Sequence, residues 1–128
     1  MKTVAQGIVL VAGLVDLLAG LALLFAPNWF FATVGNFPPF NQHYMGDAGA
    51  FVTALGVGLL VAARDLKQHQ GIIGVAALGS LLHAGNHVYD DVIAGHWSPA
   101  HFFIDTVPLL VLAVLLIVAY RRATKGEV

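Results

Sequence analysis

Cysteine is absent from the 128 residues. That excludes disulfides, thiolate metal sites, cysteine-ligated iron–sulfur clusters and a cysteine nucleophile, so a metal would have to be held by imidazole, carboxylate, amide or water. Charge is also scarce. Charged residues make up 10% of the chain, against about 25% in soluble domains. Six Lys and Arg against seven Asp and Glu leave a net charge of −1, which gives no basic footprint for nucleic acid. No internal repeat and no low-complexity stretch is present.

What the chain has in abundance is apolar residues: 59%, with a mean hydropathy of +0.82. Water is not the main solvent for such a composition. Apolar segments run over about 4–25, 42–63, 71–90 and 99–120, each reaching or approaching the roughly 20 residues that cross a bilayer core. The expected fold is all-α: an integral membrane, up-down four-helix bundle, with residues 1–128 as one domain. The first segment follows Lys2 as a signal peptide would. It is nonetheless long, Asp16 interrupts it, and Leu24-Phe25-Ala26 is a poor small-residue cleavage site. It reads as a retained helix.

The basic residues set the expected orientation. Lys2, Arg64, Lys67, Arg121, Arg122 and Lys125 all fall on one side of such a bundle, and the loops at about 26–42 and 90–98 hold neither Lys nor Arg. The positive-inside rule then places both termini in the cytoplasm, with the bacterial inner membrane as the expected location. The outer loop from Pro27 through Phe40 is aromatic and proline-rich, which suits an interfacial anchor and a short helix lying on the headgroups. Asn41 and Ser98 are good N-caps, with Pro99 at a first helical position. Pro108, inside the last segment, is expected to kink its helix and free the Ile104 carbonyl. The frequent glycines read as close-packing faces.

Polar residues inside these segments carry the chemistry. His43–Asp47, His83–His87 and His101–Asp105 are each four apart, so on a helix both members of a pair lie on one face. In an up-down bundle all six occupy the same slab near the outer end. Asp16, nine residues before Phe25, lies about 13 Å below that end at 1.5 Å per residue. Ionised side chains facing lipid are costly, about 2.5–3.5 kcal/mol each at mid-bilayer, so the six are expected to turn inward and converge.

The density of His and carboxylate fits a transition-metal site for zinc, iron or copper. His83, His87 and His101 would be its nitrogens, with Asp47 or Asp105 joining them and the remaining carboxylates orienting imidazoles. Haem held by two histidines is the lesser alternative, and a metal-free His/Asp proton relay is another. His69 belongs to the opposite turn, and His96 reads as interfacial. Asp90 falls near the stripe of His83 and His87, and Asp90 with Asp91 would draw cations to the mouth.

Several strings carry a family resemblance: Leu24-Phe25-Ala26-Pro27, Gly35, Pro38-Pro39, Asp47-Ala48-Gly49-Ala50-Phe51 and Ala54-Leu55-Gly56. Together they resemble the DoxX-like four-helix membrane proteins, most closely a branch with an Asn-x-His-x-x-x-Asp-x-Gly-Ala string, matched here by Asn41, His43, Asp47, Gly49 and Ala50. DoxX is a membrane subunit linked to quinone-dependent sulfur oxidation, so the resemblance implies a redox association; its pattern lacks this histidine set, so no catalytic residue carries over. The expected function is a small, redox-linked inner-membrane metalloprotein. Its expected partners are membrane lipids and a lipid-soluble substrate or quinone, and a homo-oligomer is compatible with that. The alternatives are a zinc-dependent membrane hydrolase, with Asp47 or Asp105 as base to a zinc-bound water, and a metal or proton carrier, for which Asp16 is the one deeper polar group.

Overall fold

A computed structural model describes residues 3–35, 38–93, 98–99 and 102–127. The described residues are helical throughout apart from turns and caps: α1 (Val4–Phe25), α2 (Pro27–Thr33), α3 (Gln42–Ala62), α4 (Gln70–Val92), a π-helical turn (Phe102–Thr106) and α5 (Val107–Lys125). Four helices, counting the π-turn with α5, are long and apolar enough to cross a membrane.

Local chemistry sets the helix ends. Thr3 and Gln6 form a reciprocal capping box at the start of α1, which satisfies two otherwise orphan N–H groups. Asn41 caps α3 as expected, its side chain accepting from the Tyr44 N–H at 3.1 Å. α5 stops at Gly126, whose φ of 72° closes the helix in the left-handed region. Pro27 opens α2 at the first-turn position that needs no N–H. The short helix expected in the aromatic loop is therefore present, and none of its residues is buried.

The four long helices alternate in direction. Gly13 of α1 lies against Leu60 of α3, Gly20 against Thr53, and Gly49 against Leu23. Gly74 of α4 lies against Tyr120 of α5, and α4 residue Asp91 meets Thr106 just before α5. α1 packs chiefly on α3, and α4 chiefly on α5.

Glycine sets the α1–α3 separation. A Cβ on Gly13 would stand 2.9 Å from the Leu60 nitrogen, and one on Gly49 2.8 Å from the Leu23 Cβ. On Gly20 or Gly56 it would run into the backbone of Thr53 or Leu17. The expected packing role holds for these four. Gly7, Gly46, Gly71, Gly79 and Gly85 face open space instead.

The apolar core occupies one end of the bundle. Ala5, Val9 and Ala12 of α1, Leu59 and Ala62 of α3, Ile73, Ala76 and Ala77 of α4, and Leu116, Ala119 and Ala123 of α5 form it, with Leu66 of the α3–α4 turn as a plug. This is the end that carries both termini. The large apolar side chains lie mostly outside, Leu18, Phe51, Leu82 and Ile104 among them, the arrangement expected when the surrounding solvent is lipid.

The last segment departs from expectation. Residues 102–106 form a π-turn, and Pro108 falls in the first turn of α5. Widening the helix by one residue just upstream changes which carbonyl meets which N–H, so the proline is taken up there. α4 also runs to Val92, two residues beyond the expected Asp90.

Candidate functional site

α4 buries a stripe at three- and four-residue spacing: Ile73, Ala76 and Ala77, Ser80, Ala84 and Asp91. His87, half-buried, continues that stripe three residues after Ala84, and His83 lies at its exposed edge. One helical turn separates the two imidazoles, whose ring centroids are 5.0 Å apart with planes at 59°. The expected pairing of His83 with His87 is therefore present.

Asp91 comes one further turn along the same face, eight residues after His83. It is 0% exposed, as is Thr106 across from it. The Thr106 hydroxyl donates to Asp91 Oδ2 at 2.7 Å. The π-turn supplies this partner, since Thr106 is its last residue and its only buried one. A buried carboxylate is tolerated only when hydrogen-bonded, so this contact ties the end of α4 to the start of α5. His87, Asp91, Ser98 and Asp105 are all engaged in interactions at this end of the bundle.

The sequence reading placed Asp90 on the histidine stripe and both acids at the mouth. The structure corrects this: Asp91 is the inward residue, and Asp90 accepts from the Asn86 amide at 3.2 Å on the flank of α4. The signal was legible, because Asp91 keeps the four-residue spacing from His87. Thr106 was missed altogether. A lone threonine in an apolar run has no sequence mark of being a partner.

His43 and Asp47 do not turn inward. They meet each other on the surface of α3, Nε2 to Oδ2 at 3.4 Å, with side chains 89% and 63% exposed. Asp47 thus finds its partner one turn away on its own helix, which removes the need to seek one in the interior. Asp105 sits half-buried in the π-turn. His101 and His96 lie outside the described residues. Asp16 is half-buried on α1, where its backbone runs close to Gly56 of α3. Its Oδ2 and the Thr53 hydroxyl are buried without hydrogen-bond partners among the described residues.

Among the described residues no three His, Asp or Glu side chains gather closely enough to hold a metal ion. What the fold assembles is an imidazole pair with a buried Asp–Thr contact one turn beyond it. Two histidines four apart on a helix have the donor type and spacing that a zinc-class ion takes. A third donor would have to come from elsewhere, and the sequence puts His101 and Asp105 beside Thr106. The residues present fit such an ion in donor type.

No curated protein and no solved structure matches the chain. A family model does, over residues 1–127, and the chain therefore belongs to DUF6632, a family of unknown function.

Proposed function

We propose that this protein is an integral protein of the bacterial inner membrane, with both termini cytoplasmic, that holds a transition-metal ion at the end of the bundle away from the termini. The observation that carries this reading is the His83–His87 pair, two imidazoles 5.0 Å apart on one face of α4. His101 and Asp105 are the donors proposed to complete the set. Asp91 and Thr106, hydrogen-bonded at 2.7 Å, hold the two supporting helix ends in register. Zinc, iron and copper all accept imidazole with carboxylate.

The proposed chemistry is redox-linked and acts on a lipid-soluble partner of the quinone class. What supports it is the set of exposed apolar side chains of Leu82, Phe103 and Ile104 on the same helical segments as the site residues; the redox link is itself part of the proposal, in line with the DoxX-like strings of the sequence. A membrane-dissolved molecule would reach the site across such a surface without entering water.

The test is elemental analysis with an absorbance spectrum of the detergent-purified protein, beside the His83→Ala/His87→Ala double variant. Stoichiometric iron or copper in the wild type and its loss from the double variant is the expected result. Colourless zinc would transfer the reading to hydrolysis. Equal metal in both proteins, or none in the wild type after reconstitution, would overturn the metal reading.

A second reading has its own support. The Asp91–Thr106 contact gives a buried carboxylate oxygen a protein hydroxyl as partner, as a metal-free polar network would. That reading stands if the wild type carries no metal.

A further inference from the structure

The basic residues gather at one end. Arg64, Lys67, Arg121, Arg122 and Lys125 lie at the end that carries the termini, with Asp65 and Glu127 among them, and the other five acids lie toward the opposite end. The basic end is not a smooth surface. A cleft of about 250 Å³ opens there between the start of α1, the α3–α4 turn and the end of α5, lined by Gln6, Arg64, Asp65, Leu66, Lys67 and Gly126. We propose that this cleft binds the phosphodiester headgroup of an anionic phospholipid, with Arg64 and Lys67 as its cationic contacts and Gln6 as an amide donor.

The turn that presents the two cations is held in place. Leu66, between them, is 2% exposed and plugged into the apolar core. The Arg64 N–H donates to the Val61 carbonyl at 3.1 Å and the His69 N–H to the Asp65 carbonyl at 3.1 Å. Asp65, the one acid in the lining, turns back on its own loop, its Oδ1 accepting from the Gln68 N–H at 2.9 Å. Gln6 is oriented likewise: its Oε1 accepts from the Thr3 N–H at 2.9 Å, which leaves its NH₂ to donate. Basic pockets at the ends of membrane helices are the usual receptors for such headgroups.

A free phosphate has the same charge chemistry, but the surroundings favour the lipid. Val61 and Val57, 37% and 49% exposed, lie one and two turns deeper than Arg64 along α3 as bare apolar surface, on which an acyl chain would lie while its headgroup filled the cleft.

The experiment mixes detergent-purified protein with equimolar 1-palmitoyl-2-oleoyl phosphatidylglycerol and the corresponding phosphatidylcholine, and counts adducts by native mass spectrometry. Phosphatidylglycerol should be retained in preference. Arg64→Gln/Lys67→Gln should weaken that retention by roughly fivefold or more, the scale for one or two basic residues at an anionic surface. Arg121→Gln/Arg122→Gln removes the same charge from the same end but outside the cleft, and should change it far less. Asp65→Asn keeps the loop's acceptor, removes the opposing charge and should strengthen retention, a gain that misfolding cannot mimic. Equal retention of the two lipids, equal loss in the two double variants, or displacement of the lipid by millimolar inorganic phosphate would each overturn the proposal.

Discussion

The hydroxyl of Thr106 lies 2.7 Å from Asp91 Oδ2, and both residues are completely shielded from solvent. Fifteen positions apart in the chain, they are the polar clasp between α4 and the π-turn that leads into α5. Replacing Thr106 by Val keeps the shape and deletes the donor. Leaving a buried carboxylate short of a hydrogen bond costs about 1–3 kcal/mol. Thr106→Val should therefore lower the thermal midpoint of the detergent-purified protein, and Thr106→Ser should recover most of it. An unchanged midpoint in the valine variant would show that the clasp contributes nothing to stability.

Asp16 presents the opposite case, an acid with a buried oxygen that has no hydrogen-bond partner among the described residues. A group of that kind is a cost to the fold of about 1–3 kcal/mol. Asp16→Leu should raise resistance to unfolding in mild detergent. If stability rises while a transport or redox activity falls, Asp16 is kept for function at the expense of stability. A stability loss would mean that Asp16 has a favourable partner after all.

The glycines divide into two groups with opposite expectations. Gly56→Ala places a methyl into the Leu17 backbone and must push α1 from α3, at roughly 1–3 kcal/mol for overpacking. Gly79→Ala meets nothing within 4 Å, and removing a mid-helix glycine is neutral or gains up to about 1 kcal/mol. Paired denaturation curves of the two variants check this, and similar shifts in both would contradict the close approach.

The His43–Asp47 contact is exposed at both ends, and exposed ion pairs contribute about 0–1 kcal/mol. His43→Ala should change neither stability nor metal content measurably. A loss of metal in that variant, comparable to the loss in His83→Ala/His87→Ala, would show that α3 does contribute a ligand.

Because the chain has no cysteine, single cysteines can report its orientation directly. Gln68→Cys in the α3–α4 turn and Glu127→Cys beyond α5 should react with a membrane-impermeant maleimide only after the cytoplasmic side is opened. Asn28→Cys in α2 should react in intact cells. The reverse pattern would invert the proposed topology, and reaction of all three in intact cells would rule out the bundle as a spanning unit.

Much of the helix layout was legible in the sequence. The Asn41 cap, the apolar run lengths and the short helix after Pro27 follow from local preferences that neighbours in space do not alter. Pro108 was harder to place. Its missing N–H announces a disturbance, but whether the helix kinks or widens into a π-turn depends on what the turn packs against. Here widening ends the π-turn on Thr106, the buried residue that meets Asp91.

The candidate site was legible only in part. Four-residue spacing correctly aligned His83 with His87, because that follows from the helix alone. The same spacing aligned His43 with Asp47, yet that pair faces outward, satisfied by its own contact. Spacing says which residues share a face and not which way the face looks.

The sequence by itself determined the strongly apolar composition, the number and approximate length of the long helices, the gathering of basic residues at one end of them, and the exclusion of sulfur chemistry. These are sums over composition or properties of single helices. Only the tertiary structure decided that Asp91 rather than Asp90 is buried, that Thr106 is its partner, and that Arg64 and Lys67 flank a cleft with Gln6. Each of those depends on how one helix is rotated against another, which is set by the glycine contacts of α1 with α3 and by the packing of alanines at the core end.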